Sequence, residues 1–317
     1  MERHRVGTLA LGALWPERRL GMKIGVDLGG TRIKAGLVDA RGVVVERAMV
    51  ATPEQKSAEV VVGSIAELLS SMLPKATSVG LAAAGVLDHK RGVIRESPNF
   101  PEWQDVSLGD LLASEVGLPV SLENDANAVI WGEACHGAGQ GASNLIGYAL
   151  GTGVGGALVL DGRLWRGERG MAGELGHTVV VPNGHPCGCG GRGCLEQYAG
   201  AVGLWRELAA AGYSQFASGV DGIKLASVAA RAGDAKLLEI FQEMGWHLGV
   251  AMAGIVQALD VSRIVLAGGL SRSADLFYES ACDAMKAHAF PSIVEGVEVV
   301  VGTLREDAGI IGAAALS

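Results

Sequence analysis

Three thiols and an imidazole stand close together in this chain: His177, Cys187, Cys189 and Cys194, spaced H-x9-C-x-C-x4-C. Thiolate and imidazole are the ligands that a closed tetrahedral zinc site takes, and four of them leave no position open for catalysis. Gly188, Gly190, Gly191 and Gly193 are interleaved, which lets a short loop fold around an ion. The competing reading is free thiols or a redox pair. A third cysteine beside C-x-C, within an odd total of five, argues for metal and against a disulfide framework. A lone histidine is often an ordinary polar loop residue, so His177 is the ligand that spacing fixes least. The cysteine usage points to a reducing compartment, the cytoplasm.

A second group of residues could hold phosphate. Asp27 is followed by Gly29, Gly30 and Thr31, and Leu150 by Gly151, Thr152 and Gly153. Without a Cβ, successive backbone N–H groups can converge on one anion, and the threonines add hydroxyl donors. Asp27, at a strand end, stands where a carboxylate could orient the water shell of Mg2+. One glycine turn alone is ordinary hairpin chemistry; two matched turns, the first with an aspartate, are a stronger signal. Rival phosphate motifs fail. There is no G-x-x-x-x-G-K-[ST] run and no kinase-type lysine strand or H-R-D loop. Gly151-x-Gly153-x-x-Gly156 matches the dinucleotide fingerprint by letter, but a strand-like Ala157–Leu160 follows where that fingerprint needs a helix.

Carboxylates and carboxamides form the third group. Glu123-Asn124-Asp125-Ala126-Asn127 bridges a strand and a helix. Asp125 is in N-cap territory, so it is either a plain cap or a base at a strand-to-helix junction. Asn99 sits in the proline-braced turn Ser97-Pro98-Asn99-Phe100-Pro101. Glu174 and Glu196 flank the metal loop. Such groups accept and donate at once, which suits the paired hydroxyls of a polyol.

The elements that must position these residues read as follows. Met22–Asp27, Ile33–Val38 and Val43–Val50 form a hairpin-linked meander. Helix 58–72, strand 79–83, helix 108–116 closed by Gly117, and strand 119–122 complete a mixed α/β half. The second half repeats the start, with strands 145–150 and 157–160 around a glycine turn. Irregular glycine-rich loops are expected over 162–200, and helices over 201–211, 225–232 and 235–259. Strand 263–267 ends at Gly268-Gly269; a helix to about 289, strand 297–301 and helix 308–316 follow. The paired glycine turns form a weak internal echo, as of two related halves facing each other. The division expected is a small α/β domain over 22–124, a large α/β domain with the metal loop over 125–303, and a final segment 304–317 packed on the small domain. Residues 1–21 combine a basic start with a short, mildly apolar stretch; they are read as a disordered extension or an upstream start, not as an export signal.

Composition sets the outer limits. The 317 residues suggest about two domains. With 49% hydrophobic and 19% charged residues the chain folds around a sizeable core. Forty-eight glycines, about twice the ordinary share, come with 9 prolines and no collagen period. The net charge of −8 argues against non-specific nucleic-acid binding and leaves any anionic substrate to local amides, a metal or a few cations. No apolar run is long enough for a bilayer.

Taken together and in order, these pieces resemble the ROK family of sugar kinases. The residues that carry the likeness are Asp27-x-Gly29-Gly30-Thr31, Ser97-Pro98-Asn99-x-Pro101, Glu123-Asn124-Asp125-Ala126-Asn127, Gly151-Thr152-Gly153, Gly173-Glu174-x-Gly176-His177, the cysteine loop through Glu196, and Ala267-Gly268-Gly269. Ala82-Ala83-Ala84-Gly85 departs from the family by lacking its usual proline. The resemblance implies an actin-like ATPase (hexokinase/ribonuclease-H-like) fold, two α/β domains around a cleft that takes ATP. It implies Asp125 as general base on a hexose 6-hydroxyl. Asn99, Asn124, Glu174, His177 and Glu196 would hold sugar hydroxyls. Asp27, Gly29, Gly30, Thr31, Thr152 and Gly153 would serve the phosphates and Mg2+, and Gly268 and Gly269 the adenosine. Zinc on His177 and the three cysteines would be structural. It also implies a homodimer or homotetramer. Glucose is the first expectation, with N-acetylmannosamine, N-acetylglucosamine or fructose, and polyphosphate as donor, left open. A non-catalytic sugar-sensing regulator is the alternative of another class, but the 21 residues before Met22 are too few for a DNA-binding helix-turn-helix. A zinc-ribbon nucleic-acid protein conflicts with the acid balance.

Overall fold

The computed structural model describes residues 21–317; the reading of the first 20 residues as an extension lies outside them. The first half runs β1 (Met22–Leu28), β2 (Arg32–Val38), β3 (Val44–Ala51), α1 (Ala58–Leu69), β4 (Ala76–Ala83), a side hairpin of β5 (Val86–Asp88) and β6 (Val93–Glu96), α2 (Leu108–Val116) and β7 (Val120–Asn124). The second runs α3 (Asp125–His136), β8 (Leu145–Leu150), β9 (Val154–Leu160), β10 (Arg163–Leu164), α4 (Glu196–Ala199), α5 (Ala201–Ala210), α6 (Gly219–Arg231), α7 (Ala235–Leu259), β11 (Arg263–Ala267), α8 (Tyr278–Ala287), α9 (Pro291–Val294), β12 (Glu298–Val301) and α10 (Ala308–Leu316).

The two halves build the same sheet. The strand orders are β3-β2-β1-β4-β7 and β10-β9-β8-β11-β12. In each, three strands pair antiparallel through tight turns and two more add in parallel. The parallel additions need crossovers, which the intervening helices supply. The two glycine turns link the first and second strands of their sheets, so the weak echo in sequence is a repeat in space. Two lobes of an actin-like ATPase fold result, with separate cores. One gathers Ile24, Val26, Ile65, Leu81 and Phe100; the other gathers Tyr148, Leu204, Phe241 and Leu266.

Two helices stand between the sheets. α3 lays Ile130, Trp131 and Ala134 on β8, β9 and β11. α10, Ala-Gly-Ile-Ile-Gly-Ala-Ala-Ala-Leu, has no polar face and is buried along most of its length, as a helix hydrophobic all round must be. It lies so close to the first sheet that a Cβ on Gly25 would stand 1.8 Å from the Ile310 carbonyl oxygen, and one on Gly80 1.8 Å from that of Ala313. Its other side meets α3. The fully buried carboxylate of Glu133 fastens the end of α3 to the loop entering α10: it accepts from the Ala138, Thr303 and Leu304 N–H groups at 2.9, 3.0 and 2.9 Å. Three backbone donors offset the desolvation of that carboxylate. Among the described residues no helix is long and apolar enough to cross a membrane.

Candidate functional site

Asp125 is the first residue of α3. The cap is its neighbour: Asn124 Oδ1 accepts from the Ala126 and Asn127 N–H groups at 2.9 and 3.2 Å. The plain-cap reading of Asp125 is therefore corrected, because the helix begins one residue earlier than the sequence suggests. Asn124 also donates Nδ2 to the Gly85 carbonyl at 3.2 Å, so most of its carboxamide is committed to the fold and one N–H is left for a ligand.

The Asp125 carboxylate accepts the Ala126 N–H at 2.9 Å and is otherwise in acidic company. Burial pushes its carboxyl above the ordinary value, the Ala126 hydrogen bond opposes this, and the charges of Asp27 and Glu174 add to the rise. Burial raises Asp27 likewise, against the pull of Lys34 Nζ at 3.5 Å. Two carboxylates with an increased proton affinity, placed within each other's field, form a site where one can act as a base and where a divalent cation would relieve repulsion. The donor set thus fits Mg2+ beside Asp27.

The glycine turns close on either side. Gly29 N–H donates to the Arg32 carbonyl at 3.0 Å, and Thr52 Oγ1 donates to the Gly29 carbonyl at 2.8 Å. Gly30 touches Asn99: a Cβ there would meet its Oδ1 at 2.8 Å. Asn99 is held in place by its loop, since Phe100 is fully buried and stacks on Trp103 at 4.0 Å, and Ser97 Oγ donates to the Ala84 carbonyl at 2.6 Å. In the second turn Gly151 N–H donates to the Gly153 carbonyl at 3.0 Å. Glu196 reaches into it, Oε2 accepting the Val154 N–H at 3.3 Å. Thr31 and Thr152 are exposed. Gly268, at the end of β11, has φ +86 and packs on the Leu150 carbonyl, while Gly269 faces open space. The carboxyl ends of β8 and β11 are thus adjacent, as a nucleotide site at strand ends requires.

His177, Cys187, Cys189 and Cys194 bring their ligand atoms within 4.8 Å of one another. Cys187 Sγ stands 3.5 Å from His177 Nδ1, and Cys189 Sγ 3.7 Å from Cys194 Sγ. Zinc bonds of ~2.3 Å to sulfur and ~2.0 Å to nitrogen give tetrahedral edges of about 3.8 and 3.5 Å, so the group fits zinc. Burial and the neighbouring sulfurs push the Cys194 thiol up to about 12, a repulsion that a cation removes. His177 turns its other nitrogen to Glu174, Nε2 to Oε2 at 3.8 Å. One imidazole thereby joins the metal loop to a carboxylate of the cleft.

A pocket is lined by Gly85, His89, Asn124, Asn127, Met171 and Glu174, with Asn124 and Asn127 coming from the junction that bears Asp125. The sequence reading placed Glu123 only within the junction motif and missed its partners. Glu123, buried behind Asn124, binds Arg166 Nε at 2.6 Å and His89 Nε2 at 3.2 Å. Both partners lie tens of residues away with no spacing to flag them; only the position of Glu123 beside Asp125 was a hint. Lys34 was read as an ordinary strand residue.

The ROK family model matches residues 23–317. The chain is 39% identical over 306 residues to a glucokinase of Thermotoga maritima, covering 92% of this chain and 96% of that protein. It is 38% identical over 307 residues to a glucokinase of Halalkalibacterium halodurans, covering 91% and 92%. Among solved structures, a ROK family glucokinase from Streptomyces griseus in complex with glucose and AMPPNP matches with a TM-score of 0.78 at 37% identity, covering 94% of this chain and 99% of that one. A likeness that runs from Lys23 to the last residue, in sequence and in fold, makes this chain a member of the ROK family.

Proposed function

We propose that the chain is an ATP-dependent hexose kinase that moves the γ-phosphoryl group of ATP to the 6-hydroxyl of glucose. The observation that carries the reading is the Asp125 carboxyl, raised by burial and by Asp27 and Glu174, at the head of α3 between two glycine turns. Phosphoryl transfer asks little covalent chemistry of a protein, so positioning and charge stabilisation do the catalysis. Asp125 accepts the proton of the attacking hydroxyl. Asn99, Asn124, Glu174, His177 and Glu196 hold the sugar hydroxyls. Gly29, its own N–H bonded to the Arg32 carbonyl, shapes the first turn; the amides of Gly30 and Gly153 and the hydroxyls of Thr31 and Thr152 face the phosphates, and Gly268 and Gly269 the adenosine. Mg2+, when bound near Asp27, neutralises phosphate charge. Zinc, held by His177, Cys187, Cys189 and Cys194, cross-links the loop between Glu174 and Glu196 and takes no part in chemistry. The proposed lobes are 22–124 with 304–317, and 125–303. A homodimer or homotetramer in the cytoplasm completes the reading, that compartment being in keeping with cysteines that form no disulfide among the described residues.

The test is ADP release with MgATP in excess over a panel of glucose, N-acetylmannosamine, N-acetylglucosamine and fructose, repeated with polyphosphate as donor. Glucose with ATP is expected to give the highest kcat/KM. Saturable glucose binding with no ADP from any sugar would leave a sugar sensor and overturn the kinase reading.

A further inference from the structure

Glu123 has a 2% exposed side chain at the penultimate position of β7. Its carboxylate takes four donors. The Asn124 N–H at 3.0 Å and Asn127 Nδ2 at 2.9 Å come from the junction that bears Asp125. His89 Nε2 at 3.2 Å comes from the turn of the β5–β6 hairpin, and Arg166 Nε at 2.6 Å from the loop after β10. Arg166 also closes that loop at its neck, its carbonyl accepting the Ala172 N–H at 3.0 Å. The tip of the same loop leans on His89, where a Cβ on Gly170 would meet Cδ2 at 3.2 Å. Two residues beyond the neck comes Glu174.

Burying a carboxylate is expensive, and an apolar packing of similar volume would hold the fold as well or better. What an apolar contact lacks is direction. A short charge-assisted bond from a guanidinium fixes the orientation of the chain that carries it. We infer that Glu123 is a positioning residue that, through Arg166 and His89, latches the Glu174-bearing loop of one lobe onto the β5–β6 hairpin of the other and so sets the sugar-side wall of the cleft. This rests on the kinase reading above.

Arg166→Ala is the leading variant, because Arg166 is 38% exposed and its loss spares the core. The latch predicts a glucose KM raised about tenfold or more, with the ATP KM within about twofold and kcat within about threefold of wild type. Arg166→Lys, which can still offer one N–H to Glu123, should recover most of the loss. Amide hydrogen exchange in the sugar-free protein should accelerate about tenfold over residues 167–174 and nowhere else. Unchanged glucose KM with unchanged loop exchange would overturn the latch, as would equal rises in both KM values. If the wild type turns over no sugar, the kinase reading falls. The exchange pattern then decides the latch alone: acceleration confined to 167–174 upholds it, and no change overturns it.

Discussion

Gly312 of α10 faces the backbone of α3 with nothing between. A Cβ there would stand 1.7 Å from the Ala128 carbonyl oxygen, 2.6 Å from its carbon and 2.9 Å from the Gly132 nitrogen. All three are backbone atoms, so no rotamer change relieves the clash. Bringing the first contact to even about 3.0 Å drives the two helices apart by about 1.3 Å along that line. Gly312→Ala should then destabilise by about 3 kcal/mol, at the upper end of overpacking, and lower Tm by about 5–10 °C. The functional consequence follows from what the helices bear. Asp125 heads α3, and α10 begins beside Asp27, where a Cβ on Gly309 would be 3.4 Å from Cγ. A displacement of about 1 Å between a base and the groups that hold its substrate costs on the order of a hundredfold in rate, so kcat for glucose should fall about that much. Gly254→Ala is the control: it lies exposed in α7 with nothing within 4 Å of its added carbon, and should leave kcat unchanged while stabilising by about 0.5–1 kcal/mol. Differential scanning calorimetry and a coupled ADP assay read both. Wild-type Tm and kcat in Gly312→Ala would refute the view that helix contact spaces the two carboxylates.

Glu123 is held at about 2, against an ordinary 4.5: burial works to raise it, and His89, Arg166 and Asn127 overcome that. A carboxyl lowered on folding contributes stability that is full above about 4.5 and lost as the pH falls toward 2, here about 3 kcal/mol. Urea unfolding between pH 7 and 2 should be less acid-sensitive in Glu123→Gln by that amount, and parallel curves would contradict the assignment. Asp125 shifts the other way: the ionised base is lost as pH falls through a raised value, so the acid limb of kcat/KM for glucose should lie above the ~4 of an ordinary aspartate. A limb at or below 4 would speak against it. Metal analysis should find about one zinc per chain, and its removal should raise the glucose KM by loosening Glu174, His177 and Glu196. Unchanged fold and sugar affinity without zinc would remove that role.

Much of the frame was legible because it follows local rules. Strand 263–267 and helices 108–116, 235–259 and 308–316 match the structure at both ends, each being a strong apolar run or period bounded by glycine, aspartate or the chain end. The β5–β6 hairpin was not read, since Val86–Asp88 and Val93–Glu96 are too short to show alternation. The stretch after Gly269 was read as one helix, but it is 3-10 turns through Leu276 before α8. In the site, the metal loop and the glycine turns announce themselves by residue type and close spacing. Asn124 and Asp125 exchanged the capping role because helix ends are set by hydrogen bonds that one residue of slippage redistributes. Glu123, Arg166 and His89 were invisible together: each is an ordinary loop or strand-end residue until the lobes bring residues 89, 123 and 166 to one point.

The central claim is that Asp125 takes the hydroxyl proton of a bound hexose. Its most direct test pairs glucose titration by calorimetry with single-turnover phosphorylation for wild type and Asp125→Asn. The claim predicts a turnover lower by about 10²–10⁴-fold, a glucose Kd within a few-fold of wild type, and a higher Tm, because a buried carboxylate facing Asp27 and Glu174 has been neutralised. Turnover near that of wild type in Asp125→Asn would contradict it.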